Sequence, residues 1–218
     1  MTRIHVFDLD NTITRVDTFK LFIFFYVIRH PQLYLSFLIF LFYIPCFLFG
    51  FKNGSWLKEK FVLKCLKNEK REIIETECKK FSLIIIKYFL NSKIRKLIHN
   101  LKNEQDNFLL LISASFDIYV TKLGELIGFE ERNIFGTELE YTDNKLTGRI
   151  VGKNLFGIYK LKKYEYWMKL RNIEKYEIYF YSDHHRDIPF FEISDHKILV
   201  NPTKKLKEKY TNIKHDTL

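Results

Sequence analysis

The chain has 218 residues, of which 47% are hydrophobic and 17% aromatic, and its formal net charge is +10. This apolar content is ample for a buried core and excludes a disordered chain, while the length suits one domain, with or without an inserted subdomain. The positive charge attracts phosphate groups of nucleic acids, lipid headgroups or small anionic substrates. The three cysteines form no CxxC pair. They therefore indicate small buried hydrophobes in a reducing compartment rather than a disulfide framework or a zinc site.

The first predicted element is a buried strand, because the segment RIHVFDLDNT opens with an apolar run that stops at aspartates. This start is unlike the apolar core of a signal peptide. Residues 19–51 follow as an almost wholly apolar segment, which an HP dipeptide divides into two blocks. The second block, residues 33–51, contains 19 residues without a charge. It is close to transmembrane length, and Pro45 should kink it if it is helical.

The rest of the chain predicts amphipathic helices and then alternating strands and helices. Residues 52–102 hold 14 Lys or Arg and 5 Glu, an excess of nine that is nearly the whole net charge. Beyond them, NFLLLISAS predicts a second buried strand, and ELEYTDNKLTGRIVG a hairpin with its turn at Asp143–Asn144. The segment YKLKKYEYWMKL predicts a helix, and YEIYFYSD and HKILVNP a third and a fourth strand.

Strands that end in polar residues and alternate with helices indicate an α/β fold with a parallel sheet. Ligands of such sheets bind beyond the carboxyl ends of the strands. We therefore expect the first three strand ends, at Asp8 and Asp10, at Ser113 and Ser115, and at Asp183, to face one crevice. The long helical stretch between the first two strands would form a cap over it.

Three carboxylates stand at these predicted strand ends. Asp8 and Asp10 lie two residues apart, so that on a strand they would point the same way and could share one ion. With Asp183 they would form an oxygen-rich site suited to Mg²⁺. Taken singly, each acid is better explained as a solvated turn residue, and a lone DxD pair is weak evidence.

Other polar residues could serve a phosphate or a metal. Ser113 offers a hydroxyl and strand-end N–H groups, and Lys160 a fixed positive charge, although alone they fit a turn serine and a solvated lysine. His184 and His185 are adjacent and cannot easily chelate one ion together with Asp183. We interpret them as loop histidines beside the acids, one of which could line a pocket.

Four motifs occur in a specific order: FDLDNT, LLLISAS, the lysine of GKNLFGIYK, and YSDHHRD followed by VNP. This order resembles the haloacid dehalogenase superfamily of phosphatases, most nearly its phosphoserine-phosphatase-like branch, over residues 4–14 and about 108–202. The resemblance implies a Rossmann-like parallel sheet with an inserted all-helical cap. The core would comprise residues 1–14 and 101–218, and the cap, with its apolar hairpin, residues 15–100. Two positions depart from the family pattern, Ser182 where glycine is usual and His184 where a small hydroxyl residue is usual.

The resemblance also implies a role for each matched residue. Asp8 would be the nucleophile that forms an aspartyl-phosphate, and Asp10 the general acid and then the general base. Mg²⁺ would be bound by Asp8, the backbone carbonyl of Asp10 and Asp183. The remaining matched positions would hold or position the phosphate, or support the lysine and the metal: Thr12, Ser113, Ala114 and Lys160 for the phosphate, and Asp187 as the supporting acid.

The apolar cap segment bears on the substrate. Apolar residues followed by lysines are what a membrane-surface protein needs, and the layout resembles, more loosely, phosphatidylglycerophosphatase C and its relatives. We therefore predict a Mg²⁺-dependent phosphomonoesterase of a lipid or lipid-linked phosphate, such as phosphatidylglycerophosphate. It would be peripheral or monotopic on the cytoplasmic face of the membrane.

Two alternatives stay open at this stage. One is a soluble phosphatase of a small metabolite such as phosphoserine, and the other is a non-catalytic module that binds membranes or nucleic acid through its basic cap. Filled catalytic positions argue against the second alternative. A nucleic-acid partner is not expected, because the basic residues form no recognisable nucleic-acid-binding motif.

Overall fold

A computed structural model describes residues 1–171, 173–211 and 216–217. Within these residues, a six-stranded parallel sheet forms the centre, with the strand order β3-β2-β1-β6-β7-β8, and a separate antiparallel pair, β4 and β5, lies beside it. The strands are β1 (Thr2–Phe7), β2 (Asn107–Phe116), β3 (Ile134–Thr137), β4 (Leu139–Thr142), β5 (Lys145–Ile150), β6 (Tyr176–Ser182), β7 (His196–Leu199) and β8 (Asp216–Thr217).

Helices cover the sheet and form the inserted cap, so the predicted fold class is confirmed. Those between β1 and β2 are α1 (Thr18–Arg29), α2 (Tyr34–Leu41), α3 (Ile44–Leu48), α4 (Gly54–Phe61), α5 (Arg71–Tyr88) and α6 (Ser92–Lys102). Those after β2 are α7 (Asp117–Ile127), α8 (Ile158–Lys169), α9 (Ile188–Ile193) and α10 (Lys204–Tyr210).

Both faces of the sheet are buried, and successive side chains along a strand belong to different core clusters. In β1, Ile4 and Val6 pack in one core cluster and Phe7 in the other. In β2, Leu110 joins the first cluster and Leu111 the second. Parallel strands covered by helices on both sides have this pattern, because successive side chains point to opposite faces.

The apolar segment of the cap is broken into short helices. Helix α2 ends at Leu41, and Pro45 lies in the first turn of α3, as the expected break at this proline requires. Among the described residues, no single helix is both long and apolar enough to cross a membrane. One pair of helices, Thr18–Arg29 with Pro31–Leu41, meets the criteria of length and composition together, but it is bent by 108° at the break between them.

Some details differ from the sequence-based expectations. The strands β3 and β8 were not predicted, because β3 has only two apolar residues before a glycine and β8 has only two residues. The predicted hairpin is β4–β5, and Asp143 and Asn144 turn it with φ of 50° and 60°. The predicted boundary between cap and core follows residue 100, which lies inside α6, a helix that contacts β2. This boundary stays a prediction.

Candidate active site

Three neighbouring strands bring the sequence-predicted residues to one edge of the sheet. Strand β1 lies between β2 and β6, with Phe7 opposite Leu111 and Tyr181. Asp8 follows β1 directly, and its N–H donates to the carbonyl of Tyr181 at 2.9 Å. Asp183 follows β6 in the same way, so the two carboxylates lie side by side at the carboxyl end of the sheet.

Asp10 reaches this edge by a turn and not by a strand. Strand β1 ends at Phe7, and residues Leu9–Ile13 form a single wide helical turn with Asn11 at φ 56°. The Asp10 carboxylate accepts hydrogen bonds from the N–H and hydroxyl of Thr18 at 2.7 and 2.5 Å, and from the Ser115 hydroxyl at 2.7 Å. Burial, with Asp17 nearby, nevertheless raises the pKa of Asp10. The turn, together with the hydrogen bonds from Thr18 and Ser115, therefore orients Asp10.

Lys160 joins two of the acids. Its ammonium donates to Asp8 Oδ1 at 2.8 Å and to Asp187 Oδ2 at 2.7 Å, and all three side chains are buried. Burial alone would lower the pKa of Lys160, but Asp187 and Asp8 outweigh it and raise the pKa, so the ammonium stays charged. Gly157, with φ 55°, starts α8, where a Cβ would lie 3.0 Å from the carbonyl of Arg186.

The two departures from the family pattern have separate roles in the YSDHHRD segment. Ser182 is fully buried and donates to Asp187 Oδ2 at 2.7 Å, the oxygen that Lys160 also contacts. His184 Nδ1 accepts the N–H of Arg186 at 3.0 Å and so caps the turn that follows. Burial lowers the pKa of His184 to about 4, so the ring is neutral.

The other predicted phosphate-binding residues lie in the turn after β1 and in β2. Ser113 is buried and its Oγ accepts the N–H of Ser115 at 3.0 Å. The pairing of β2 with β3 shifts register between Ile112 and Phe116, so the chain around Ala114 leaves the regular ladder. Thr12 is fully buried, and its hydroxyl has no hydrogen-bond partner among the described residues.

The acids fit a hard divalent cation. Within the described part of the chain, no three His, Cys, Asp or Glu side chains could hold a metal by themselves, but the predicted set of ligands includes a backbone carbonyl. The carboxylate of Asp183 accepts no hydrogen bond from a described residue, and burial raises its pKa to about 8 and that of Asp8 to about 7. The buried carboxylates outnumber the cations that contact them, and such a site suits Mg²⁺, which prefers oxygen ligands.

A family model described as haloacid dehalogenase-like hydrolase matches residues 5–192. The chain belongs to this family. A histidinol-phosphatase from Neisseria meningitidis serogroup C (strain 8013) is 30% identical over 103 residues, which are 45% of this chain and 46% of that protein. The match thus spans less than half the length of this relative.

Solved structures of other proteins share the fold of this hydrolase. A protein of unknown function from Bordetella pertussis Tohama I has a TM-score of 0.83 at 20% identity, over 100% of this chain and 98% of its own. A phosphoserine phosphatase with a phospho-aspartyl intermediate analogue has a TM-score of 0.63 at 23% identity, over 99% and 92%. At these identities the likeness concerns the fold alone.

One residue at the site of this hydrolase was missed by the sequence reasoning. Lys58 of α4 is buried and donates to the carbonyl of Ala114 at 2.6 Å, so the cap supplies a cation to the core. In the sequence it is one of the 14 basic residues of the segment 52–102. The signal was its spacing, because Lys58 lies three and four residues before the buried Phe61 and Val62, on the same helical face.

A polar cleft of about 640 Å³ opens beside the acids. It is lined by amide, hydroxyl and basic side chains together with one of the acids: Asn11, Arg15, Asn91, Ser92, Lys93, Asp183, Asn201 and Thr203. The cleft gives solvent and ions a path to Asp183.

We expect Ser182→Ala to lower the free energy of unfolding by about 1.5–3 kcal/mol, because it removes a buried hydrogen bond to a charged carboxylate. The control is Ser194→Ala, whose buried hydroxyl donates to the neutral carbonyl of Phe190 at 2.8 Å and should contribute only about 0.5–1.5 kcal/mol. Urea denaturation followed by circular dichroism measures both. Equal losses in the two variants would show that the Asp187 carboxylate does not depend on Ser182.

Proposed function

We propose that this hydrolase is a Mg²⁺-dependent phosphomonoesterase that works through an aspartyl-phosphate on Asp8. The observation that supports this most is the buried Asp8–Lys160–Asp187 arrangement, since Lys160 fixes Asp8 Oδ1 and leaves Oδ2 free to attack phosphorus. A carboxylate nucleophile is an established covalent strategy, and stabilisation of spread negative charge is most of what phosphoryl transfer requires.

Two steps complete the reaction. In the first, Asp8 Oδ2 bonds to phosphorus, the ester P–O bond breaks, and Asp10 gives its proton to the leaving oxygen. In the second, Asp10 takes a proton from a water molecule, which attacks the aspartyl-phosphate and releases inorganic phosphate. The raised pKa of Asp10 suits the first step, which needs the protonated acid.

Asp8, the Asp10 carbonyl and Asp183 would hold Mg²⁺, which when bound offsets the negative charge of the phosphate beside Asp8. Lys160 supplies the other fixed positive charge at Asp8, and Asp187 keeps it in place. Ser113, Ala114 and Thr12 line the phosphate position in this proposal.

We expect Asp8→Asn to lower turnover of p-nitrophenyl phosphate at least about 10³-fold, because it removes the attacking charge and keeps the volume. Wild-type protein should give an acid-stable, hydroxylamine-sensitive phosphoenzyme that Asp8→Asn does not form. Asp106→Asn, on an exposed loop, serves as the control for the same chemical change. Substantial turnover by Asp8→Asn would rule out the covalent mechanism.

The metal is tested separately. Chelation should stop turnover and added Mg²⁺ should restore it, while Asp183→Asn should need a much higher Mg²⁺ concentration, because one of two carboxylate ligands is lost. A double variant of His184 and His185 should keep the wild-type Mg²⁺ requirement, since His184 caps a turn. If the histidine variant loses the metal and Asp183→Asn does not, the ligand assignment is wrong.

For the substrate, we propose a lipid or lipid-linked phosphate at a membrane surface. The support is the hairpin surface, which we define as the exposed apolar side chains of residues 34–51. Phe42, Phe49 and Phe51 are 80%, 76% and 77% exposed, whereas Phe40 alone in this segment is fully buried. The other members of this surface are Tyr34, Leu35, Leu38, Ile39, Leu41 and Leu48.

Lipid is the occupant that the surrounding charge favours. Contiguous exposed apolar patches of this kind are rare on soluble monomers. Lys52 follows the hairpin surface directly, and residues 52–102 carry an excess of nine positive charges. Each Lys or Arg near an anionic bilayer adds about 1 kcal/mol to binding, an attraction that a neutral protein partner would not provide.

A soluble phosphatase of a small metabolite is the second candidate. It is supported by the similarity to a histidinol-phosphatase and to a phosphoserine phosphatase. The two candidates differ in what they expect of the hairpin surface, which only a lipid substrate would require.

We expect wild-type protein to sediment with vesicles of phosphatidylcholine and phosphatidylglycerol, less strongly at high salt. Replacing Phe42, Phe49 and Phe51 with Asp should release it, because each Phe contributes roughly 1.5–3 kcal/mol when buried in lipid. Turnover of a lipid phosphate should then fall more than turnover of p-nitrophenyl phosphate.

The control replaces three exposed apolar side chains outside the cap, Leu126, Tyr166 and Leu170, with Asp. This variant should still sediment with the vesicles. A wild-type protein that is monodisperse without detergent and ignores vesicles would favour the soluble-metabolite candidate.

A further inference from the structure

Lys58 is a buried cation without a carboxylate partner. It is 9% exposed, and its ammonium donates to the Ala114 carbonyl at 2.6 Å. The ring centres of Phe19 and Phe116 lie 4.7 and 5.9 Å from the ammonium nitrogen. No described carboxylate forms a salt bridge with it. An ammonium has three donors, and the Ala114 carbonyl is its one hydrogen-bond acceptor among the described residues.

The position of Lys58 is on the side where the alcohol of a substrate would leave. Thr18 and Ser115 donate hydrogen bonds to the Asp10 carboxylate. The two rings near the Lys58 ammonium belong to the residues that follow them in the sequence, Phe19 and Phe116. Asp10 is the acid that protonates the leaving oxygen in the proposed function. Among the carboxylates that act on the Lys58 ammonium, Asp10 has the largest effect, so the ammonium lies near the acid that serves the leaving oxygen.

The charge of Lys58 is incompletely compensated. Burial lowers the pKa of Lys58 to about 8 even though Asp10, Asp17 and Asp8 raise it, and Arg186 adds a further positive charge nearby. An anionic group on the substrate would stabilise the charged ammonium, which burial destabilises. A substrate ammonium would meet a like charge and would find the Ala114 carbonyl already bound to Lys58.

We propose that Lys58 is a specificity-determining residue that selects phosphate esters whose alcohol carries a second negative charge and rejects esters of amino alcohols. This rests on the proposed phosphomonoesterase function and narrows its substrate class. Among lipids, Lys58 would favour a phosphate ester on a headgroup that also carries a phosphodiester. It would disfavour a phosphate attached directly to a hydrocarbon alcohol. Among small metabolites it disfavours phosphoserine and similar ammonium-bearing esters.

Three two-carbon esters of equal chain length test the charge alone: 2-phosphoglycolate, 2-hydroxyethyl phosphate and phosphoethanolamine. We expect wild-type kcat/KM to be about tenfold or more higher for phosphoglycolate than for phosphoethanolamine, with the neutral ester between them. Lys58→Gln should bring this ratio close to one, Lys58→Glu should invert it, and Lys58→Arg should preserve it.

Lys60→Gln is the matched control, because Lys60 lies on the same helix with its ammonium over the rings of Tyr43 and Trp56. It should keep the wild-type ratio. Dissociation constants of the three esters for Asp8→Asn protein, with and without Lys58→Gln, give the same preference without turnover. Circular dichroism confirms the fold of each variant.

The outcomes separate the two hypotheses. Wild-type protein that turns over p-nitrophenyl phosphate, but whose preference is unchanged by Lys58→Gln, overturns the role of Lys58 and leaves the phosphatase intact. Protein without any phosphatase activity refutes the proposed function, and the dissociation constants then decide whether Lys58 selects anions. A ratio that falls equally in Lys58→Gln and Lys60→Gln reflects general charge and also overturns the proposal.

Discussion

The buried ammonium of Lys160, held between Asp8 and Asp187, is the interaction on which the site depends. Charges taken out of water need close partners, and removal of one partner leaves the other uncompensated. Three elements bring these charged groups together. Asp8 follows the end of β1, Lys160 lies in the first turn of α8 after Gly157, and Ser182 at the end of β6 holds Asp187. This arrangement also leaves the carboxylate of Asp183 unpaired among the described residues, and that imbalance is what makes a divalent cation fit.

The cap completes this arrangement and does more than cover it. Thr18, the first residue of α1, donates twice to Asp10, and Lys58 of α4 donates to Ala114. Ser55 accepts from Asn154, which in turn accepts from Thr137, so a further chain of hydrogen bonds ties α4 to the core. The hairpin surface lies on the segment between α1 and α4. Whatever contacts that surface is therefore joined to the acid Asp10 and to Lys58 by short helices at both ends.

The sequence predicts the fold well and the site in part, for reasons that lie in particular residues. Apolar runs that stop at polar residues mark β1, β2, β6 and β7, but β3 has only two apolar residues before a glycine, and β8 has only two residues. The order of the motifs names the residues that meet at the sheet edge. It does not reveal that Asp10 sits on a turn, that Ser182 donates to Asp187, or that Lys58 points inward, because each depends on tertiary contacts between distant segments.

The geometry of the hairpin limits how it could meet a bilayer. Helices α2 and α3 have eight and five residues, so at 1.5 Å per residue they are about 12 and 8 Å long, against roughly 30 Å for the hydrocarbon core. The most exposed phenylalanines, Phe42, Phe49 and Phe51, follow the ends of these helices and not their middles. A surface built from helix ends and turns, with Lys52 at its margin, can enter one leaflet while its base stays anchored by Phe40. In the proposed function, this insertion would hold the protein beside the headgroups, where the phosphate ester of a lipid lies.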